Sequence, residues 1–233
     1  MELAVRWLGR LDYRKAWDLQ HELVAQRAAG DIPDQLLLVE HEPVLTLGRQ
    51  SDPAHILATP DDLASRRIDV IRVERGGEVT YHGPGQLVAY PIVRLADRGL
   101  LIRPFVRLLE DAMAQTAAAF GVLAGGRDGL PGLWCAAESD HPRKLGALGL
   151  RVERGVSYHG IALNVTTNMS NFDLIDPCGV PEAETTSIAR ELDWTGTDAL
   201  PSTASVEQAA TYFAEAFAAR LPAPTAARVL APA

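Results

Sequence analysis

The stretch Arg75-Gly-Gly-Glu-Val-Thr-Tyr-His-Gly-Pro-Gly-Gln86 places four glycines among one arginine, one histidine and several hydroxyl or amide side chains. Glycine lets a backbone take φ > 0 and lets a ligand approach the chain closely. The stretch therefore predicts a loop that wraps a ligand, and a hairpin loop with ordinary turn chemistry is the alternative. Apolar runs on either side, at residues 70–73 and 87–93, predict two strands that hold the loop.

The composition is that of a globular chain. The 233 residues are 47% hydrophobic and 22% charged, and the formal net charge is −8. This acidic balance argues against nucleic acid or an anionic membrane as the main partner. No apolar run approaches the roughly 20 residues that span a bilayer, and no basic-then-apolar signal segment begins the sequence. We expect a cytoplasmic protein.

Hydrophobic periodicity and capping residues predict helices that alternate with strands. Helices are expected at residues 12–27, from 60, at 104–120 and at 205–220, and strands at 4–8, 36–39, 44–47, 70–73, 87–93, 133–137, 144–152 and 156–165. Turn residues 153–155 predict a hairpin between the last two strands. The expected fold class is α/β, with a single domain at residues 1–221 built on a mixed β-sheet flanked by helices. An Ala/Pro-rich tail follows at 222–233.

Two residues stand out as candidates for chemistry. Cys178 lies between Pro177 and Gly179, which predicts a turn that exposes its thiol, although an inert buried thiol is the default for a cysteine. Lys144 is one of two lysines among 22 basic residues, and lysine can lose its proton in a protein whereas arginine effectively cannot. A solvated lysine at a strand edge is the alternative. The other cysteine, Cys135, fits a small apolar core position.

Two histidines share a local pattern, because His82 and His159 each follow a tyrosine and precede a glycine. Each is either a hydrogen-bonded structural residue or a base. The two cysteines match no metal-ligand spacing and make no disulfide framework, and no phosphate-binding or dinucleotide-binding glycine motif occurs.

With these residues in view, the chain resembles the lipoyl(octanoyl) transferases, the LipB family. The likeness is carried by the stretch 75–86, by Gly-Leu-Trp at 132–134, Arg-Lys-Leu-Gly-Ala-Leu-Gly-Leu-Arg at 143–151, His-Gly-Ile-Ala-Leu-Asn at 159–164 and Asp-Pro-Cys-Gly at 176–179. The resemblance implies a fold shared with lipoate ligases and the catalytic domain of biotin ligases. Two departures are a long connection at 135–143 and Leu145-Gly146, where the family commonly has a β-branched residue and alanine.

The resemblance also implies an activity. The family transfers an octanoyl group from octanoyl-acyl carrier protein to a lysine ε-amine of lipoyl domains, the first step of protein lipoylation. The acceptors are proteins such as 2-oxoacid dehydrogenase acyltransferase subunits and the glycine cleavage H protein. Cys178 would hold the acyl group as a thioester, Lys144 would activate the thiol, and no cofactor would be needed. The implied acyl pocket consists of Arg75, Gly76, Gly77, Glu78, Val79, Thr80, Tyr81, His82, Ala147, Leu148, Gly149, Gly160, Ile161 and Ala162.

Two other functions compete with this one. An ATP-dependent lipoate or biotin ligase on the same fold would need no nucleophilic cysteine at this position. A non-catalytic domain that binds acyl carriers would need neither Cys178 nor Lys144. Because acyl carriers and lipoyl domains are generally acidic, an acidic acyltransferase also needs a local basic patch. Arg143, Arg151 and Arg154 are the candidates for that patch.

Overall fold

The computed structural model describes residues 2–176, 184–194 and 205–225, so Cys178 lies outside the described residues. The strands are β1 (Ala4–Leu11), β2 (Gln35–His41), β3 (Val44–Leu47), β4 (Asp69–Arg72), β5 (Val79–His82), β6 (Gln86–Ile92), β7 (Gly125–Arg127), β8 (Leu130–Cys135), β9 (Arg143–Glu153), β10 (Val156–Asn164) and β11 (Glu184–Thr185). The α-helices are α1 (Tyr13–Ala29), α2 (Pro60–Ser65), α3 (Ile102–Ala119), α4 (Ile188–Trp194) and α5 (Val206–Arg220).

A large mixed sheet forms the centre of the fold. Within the described residues it has eight strands in the order β1-β2-β6-β10-β9-β8-β7, with β11 added beside β9. β1 is parallel to β2 and β11 is parallel to β9, whereas the other neighbours are antiparallel. The predicted fold class, a mixed sheet flanked by helices, is confirmed.

Each face of this sheet carries its own hydrophobic core. On one face, Leu87, Leu145 and Ile161 pack with residues of α3 and α5, among them Phe105 and Phe213. On the other face, the buried residues of β2, β6 and β10 pack against α1. Because successive strand residues point to opposite faces, strands buried on both faces read as continuous apolar runs, as β6 does.

The glycine-rich stretch is not a single loop. Its residues Val79–His82 form β5, which pairs antiparallel with β3, while β4 pairs with β3 on the other side. This second, three-stranded sheet packs through Val44, Ile71 and Val73 against Tyr13 and Trp17 of α1. The small sheet therefore covers the α1 face of the large sheet.

Most predicted helix and turn signals are confirmed. Asp12 caps α1 and Gly30 ends it in the left-handed region. The β9–β10 hairpin turns through Arg154 and Gly155, both at positive φ. Ser205 caps α5 by accepting from the Gln208 amide, and Nε2 of Gln208 donates to the Tyr212 hydroxyl.

The described part of the expected tail contacts the body of the protein. The carbonyl of Pro222 accepts a hydrogen bond from Arg98, and the amide of Thr225 donates to the carbonyl of Asp97. The remaining residues of that tail lie outside the described part of the chain. Among the residues that the structure describes, no helix is both long enough and apolar enough to cross a bilayer.

Candidate active site

A pocket opens between the α1 face of the large sheet and the small sheet. Strands β5, β6, β9 and β10 form most of its walls, and α1, β11 and the segment around Phe172 contribute one residue each. The described lining residues are Tyr13, Arg75, Gly77, Glu78, Val79, Thr80, His82, Gln86, Val88, Tyr90, Lys144, Gly146, Ala147, Leu148, Gly149, His159, Gly160, Ile161, Ala162, Asn164, Phe172 and Thr185.

Close backbone packing makes the wall at residues 75–77. The amide of Gly76 donates to the carbonyl of Leu150 at 3.1 Å, and a Cβ at Gly149 would lie 2.8 Å from the carbonyl oxygen of Gly76. A Cβ at Gly48 would overlap the carbonyl oxygen of Gly77. Glycine at 48 and 149 thus lets this segment lie directly against β9 and the end of β3.

Arg75 brings a buried positive charge to the pocket wall. Its Nε and Nη2 donate to Oγ1 of Thr46 at 3.1 and 2.8 Å, Nη2 donates to the Thr46 carbonyl at 2.6 Å, and Nη1 donates to the Gly76 carbonyl at 3.0 Å. Among the described residues, no carboxylate lies within ion-pair distance of this guanidinium. Burial lowers the pKa of Arg75, since a charge loses hydration there.

His82 is a buried neutral imidazole with a fixed tautomer. Nε2 of Gln86 donates to the carbonyl of Tyr81 and to Oδ1 of Asn164, which turns Oε1 of Gln86 toward His82. Nδ1 of His82 donates to that oxygen at 2.8 Å, so its Nε2 is the acceptor. Burial, assisted by the nearby His41 and Arg75, lowers the pKa of His82 to about 3.

Two tyrosines complete this polar side of the pocket. Nδ1 of His41 donates to the carbonyl of Leu11 at 2.9 Å, so its Nε2 accepts from the Tyr90 hydroxyl at 2.8 Å. Tyr13 is hydrogen-bonded to Tyr90, and its ring stacks on His82 with centroids 5.8 Å apart. Burial raises the pKa of Tyr13 to about 12, which keeps its hydroxyl protonated.

Lys144 lies at a β-bulge. Leu133 pairs with Gly146 and Trp134 pairs with Lys144, so Leu145 is the extra residue and packs into the core. A bulge re-aims the neighbouring side chain, and here Lys144 lines the pocket. Its Nζ lies 5.2 Å from the centroid of the Trp134 ring, and its Cε would be 3.2 Å from a Cβ at Gly132.

An ion pair fixes the chain next to Lys144. Arg143 donates from Nε and Nη2 to the two carboxylate oxygens of Glu191 at 2.8 and 2.9 Å, and the Thr186 hydroxyl donates to the same carboxylate. β11 pairs here, with Thr185 opposite Lys144. On the far side of the undescribed residues 177–183, the amide of Asp176 donates to the carbonyl of His55 at 2.8 Å.

Thirteen of the predicted site residues line this pocket, and two of the others do not. Gly76 belongs to the wall but faces Leu150 and does not line the pocket, and Tyr81 points to the opposite face of β5, where its hydroxyl accepts from Asn171. Cys178 falls outside the described residues. Cys135 is 1% exposed in the core, as predicted, and burial raises the pKa of its thiol to about 12.

Sequence reasoning missed part of the pocket. Tyr13, Val88, Tyr90, Phe172 and Thr185 line it, and none of them was predicted. The alternation of β6 could have found Val88 and Tyr90, because they share a face with Gln86.

The docking role of Arg143, Arg151 and Arg154 stays a prediction, but the three do not form one patch beside Lys144. Arg143 pairs with Glu191, and Arg154 is at the opposite end of β9, about 30 Å from Lys144 at the usual rise of a strand.

Comparison with known proteins identifies the family. A profile described as "Lipoyl protein ligase A/B catalytic domain" matches residues 12–218. The chain belongs to this family. Two relatives, both named Octanoyltransferase, come from Chloroflexus aurantiacus and Corynebacterium efficiens. The first is 45% identical over 191 residues, covering 82% of this chain and 84% of the relative, and the second is 43% identical over 221 residues, covering 94% and 83%.

Solved structures agree on the fold of this lipoyl protein ligase A/B domain. A bipartite lipoate protein ligase from Thermoplasma acidophilum superposes with a TM-score of 0.64 over 95% of this chain and 84% of its own. The sequence identity is 16%, so this likeness speaks to the fold alone.

Proposed function

We propose that the protein is an octanoyltransferase that moves an octanoyl group from octanoyl-acyl carrier protein to a lysine ε-amine of lipoyl domains, the first step of protein lipoylation. The observation that carries this proposal is the group of relatives named Octanoyltransferase, which are 41–46% identical to this chain over most of its length. The reaction takes place in the cytoplasm, and its acceptors include 2-oxoacid dehydrogenase acyltransferase subunits and the glycine cleavage H protein.

The proposed mechanism has two half-reactions. The Cys178 thiolate attacks the thioester carbonyl of the donor, the tetrahedral intermediate expels the carrier thiolate, and Cys178 holds the octanoyl group. The acceptor amine then attacks this new thioester, the Cys178 thiolate leaves as the amide forms, and the proton that the amine loses passes to that thiolate and restores the thiol. A covalent relay allows one bulky carrier to leave before the other docks. Each step exchanges one acyl bond for another, so no ATP is consumed.

Lys144 serves the proton transfers of this mechanism. It takes the Cys178 proton and returns it to the leaving carrier thiol, so that charge does not accumulate on either sulfur. The described chain on both sides of Cys178 supports the pairing of these residues. Thr185, which follows Cys178 by seven positions, pairs with Lys144, and Asp176, which precedes it by two, is hydrogen-bonded near the pocket through His55.

The acyl chain would occupy the pocket beside β9 and β10. Val88 and Ala162, which lie on the α1 face of the large sheet, supply apolar contact, while the glycines at 149 and 160 leave space along the strands. Arg75 adds a fixed positive potential from the wall, which favours the developing oxyanion and the Cys178 thiolate.

Incubation of the purified protein with octanoyl-acyl carrier protein tests the proposal. We expect intact-mass and peptide spectra to show one octanoyl group on Cys178 and none on buried Cys135. Addition of an apo lipoyl domain should then transfer the group without ATP. Transfer that requires ATP would indicate a ligase, transfer by Cys178→Ala would contradict the thioester, and binding without any transfer would indicate a non-catalytic carrier-binding domain.

A further inference from the structure

Glu74 precedes the pocket wall at residues 75–78 and joins it to two other elements. Its Oε1 accepts a hydrogen bond from Nε1 of Trp17 at 3.2 Å and lies 2.9 Å from Nε2 of His21. Nε2 of His159 lies 3.8 Å from the same oxygen. Trp17 and His21 belong to α1 and His159 to β10, so one carboxylate bonds to the helix and also lies beside the large sheet.

The β10 side of this link is held in an unusual backbone conformation. His159 has φ of +52° in the middle of a strand, a region that non-glycine residues rarely occupy. Its amide donates to Oε1 of the buried Gln20 at 2.8 Å, which holds the strained backbone against α1. The imidazole is 1% exposed, reaches the pocket and lies next to Glu74.

The position of the wall depends on contacts of the chain around it, because residues 75–78 have no helix or strand structure. The Gly76 amide is bonded to Leu150, and the Arg75 carbonyl accepts from the amide of Arg49. Immediately before these residues, the Glu74 carboxylate holds the chain to Trp17 of α1. Although burial raises its pKa, the nearby His159 and the hydrogen bond from Trp17 outweigh burial and lower the pKa of Glu74 to about 2.

We propose that Glu74 is a positioning residue that sets the width of the acyl pocket and hence its discrimination between acyl chain lengths. This inference rests on the proposed function. Without the Glu74 link the wall keeps its bond to Leu150 but loses its anchor to α1, so it can shift relative to β9 and β10. An eight-carbon chain then loses contacts on one side, because dispersion attraction falls steeply with a gap of less than 1 Å. A longer chain, which the narrow pocket excludes, gains room.

Glu74→Ala and Glu74→Gln test this role in the full-length protein. The measured quantity is the ratio of kcat/KM for octanoyl-carrier protein to kcat/KM for dodecanoyl-carrier protein. We expect Glu74→Ala to lower the ratio about fivefold or more, a size typical of a few lost apolar contacts. Glu74→Gln keeps an acceptor oxygen for Trp17 and should retain most of the ratio. Trp17→Phe keeps the ring, removes the donor and should lower the ratio in part.

Glu153→Ala is the matched control. Glu153 accepts from the neighbouring Tyr158 hydroxyl at 3.3 Å but does not contact the wall, so the ratio should stay unchanged. Equal losses for both chain lengths in Glu74→Ala, or no loss, would overturn the inference. If Glu74→Ala fails to fold, an unchanged ratio in Trp17→Phe overturns it.

Thioether analogues separate this inference from the proposed function. The acyl groups of octanoyl and dodecanoyl thioethers cannot be transferred. The ratio of the dissociation constants of these two analogues therefore measures discrimination between chain lengths without turnover. A wild-type protein that transfers nothing would contradict the proposed function alone. A thioether ratio that Glu74→Ala leaves unchanged would contradict the positioning role alone.

Discussion

Lys144 lies in a confined place on the pocket wall, between the Trp134 ring and Gly132. If it moves a proton, Lys144→Arg keeps the cation but cannot become neutral. We expect turnover to fall by about two orders of magnitude, the usual contribution of a positioned acid or base, while the protein still folds. Transfer assays with circular dichroism measure both properties.

Lys15→Arg provides the comparison, since Lys15 is exposed on α1 and should tolerate arginine. A turnover number for Lys144→Arg within a few-fold of the parent would mean that Lys144 supplies positive charge only.

Gly149 tests the close approach of the wall to β9. The Cβ of Gly149→Ala would stand 2.8 Å from the Gly76 carbonyl oxygen, so the wall must shift. We expect a higher KM for octanoyl-carrier protein and a loss of about 1–3 kcal/mol in the free energy of unfolding, as overpacking costs elsewhere. Gly125→Ala is the control, because its Cβ meets no atom within 4 Å. Equal KM values for the two variants would speak against the tight contact.

At the scale of elements, a buried carboxylate holds α1 to the large sheet. Asp34 accepts from Nε of Arg27 at 2.6 Å and from Nε of Arg98 at 2.7 Å, and all three side chains are at most 6% exposed. Asp34→Ala would leave two buried guanidinium groups without this partner. We expect a loss of about 3–5 kcal/mol in the free energy of unfolding, measured in urea.

The exposed pair Arg10–Glu42 is the matched comparison at the surface. Glu42→Ala should change the free energy of unfolding by at most about 1 kcal/mol. Similar losses of unfolding free energy in Asp34→Ala and Glu42→Ala would show that the buried ion pairs of Asp34 stabilise the protein no more than the exposed pair does.

The sequence predicted elements best where a local signal marks them. Asp12 and Gly30 bound α1, and Gly155 makes the β9–β10 turn, because caps and turns depend on neighbouring residues only. β5 was missed because its four residues lie between glycines, and its partner β3 is distant in the chain. Pairing between strands that are distant in the chain leaves no periodic pattern in a segment of only four residues.

The candidate site shows the same division. Lys144 and the glycine stretch were recognisable from residue type and motif. Tyr13 and Tyr90 were not, since each reaches the pocket only through the packing of α1 and the small sheet on the large sheet. The docking role of the three arginines stays a prediction. Arg143 begins the 11-residue strand β9 and Arg154 follows its end, so the two lie far apart although they are close in sequence.

For the whole molecule, two buried histidines predict how stability depends on pH. Burial lowers the pKa of His41 to about 4 and that of His82 to about 3, against an ordinary value of 6.5. Below pH 6.5 the unfolded chain therefore binds protons that the folded protein does not. The free energy of unfolding should therefore decrease as the pH is lowered from 6.5, by up to about 1.4 kcal/mol per pH unit for each histidine.

Urea unfolding between pH 6.5 and 5 measures this slope, in a window where most carboxyl groups stay ionised. His41→Asn and His82→Asn should each have a shallower slope than the parent, whatever their stability at pH 7. His141→Asn, which alters an exposed histidine, should keep the parental slope. If the free energy of unfolding of both His41→Asn and His82→Asn depends on pH as it does in the parent, the two histidines are not the cause of the pH dependence.

The position of β6 has a consequence for how the chain reaches its native state. β6 lies between β2 and β10 and is buried at every residue, yet Ala89 pairs with Ile161, which is made much later in synthesis. Until that partner emerges from the ribosome, an apolar strand presents an open edge that other chains can join. Such distant pairing also slows folding. We therefore expect chains that stop before β10 to aggregate, and refolding of the full chain to need low concentration or chaperone protection.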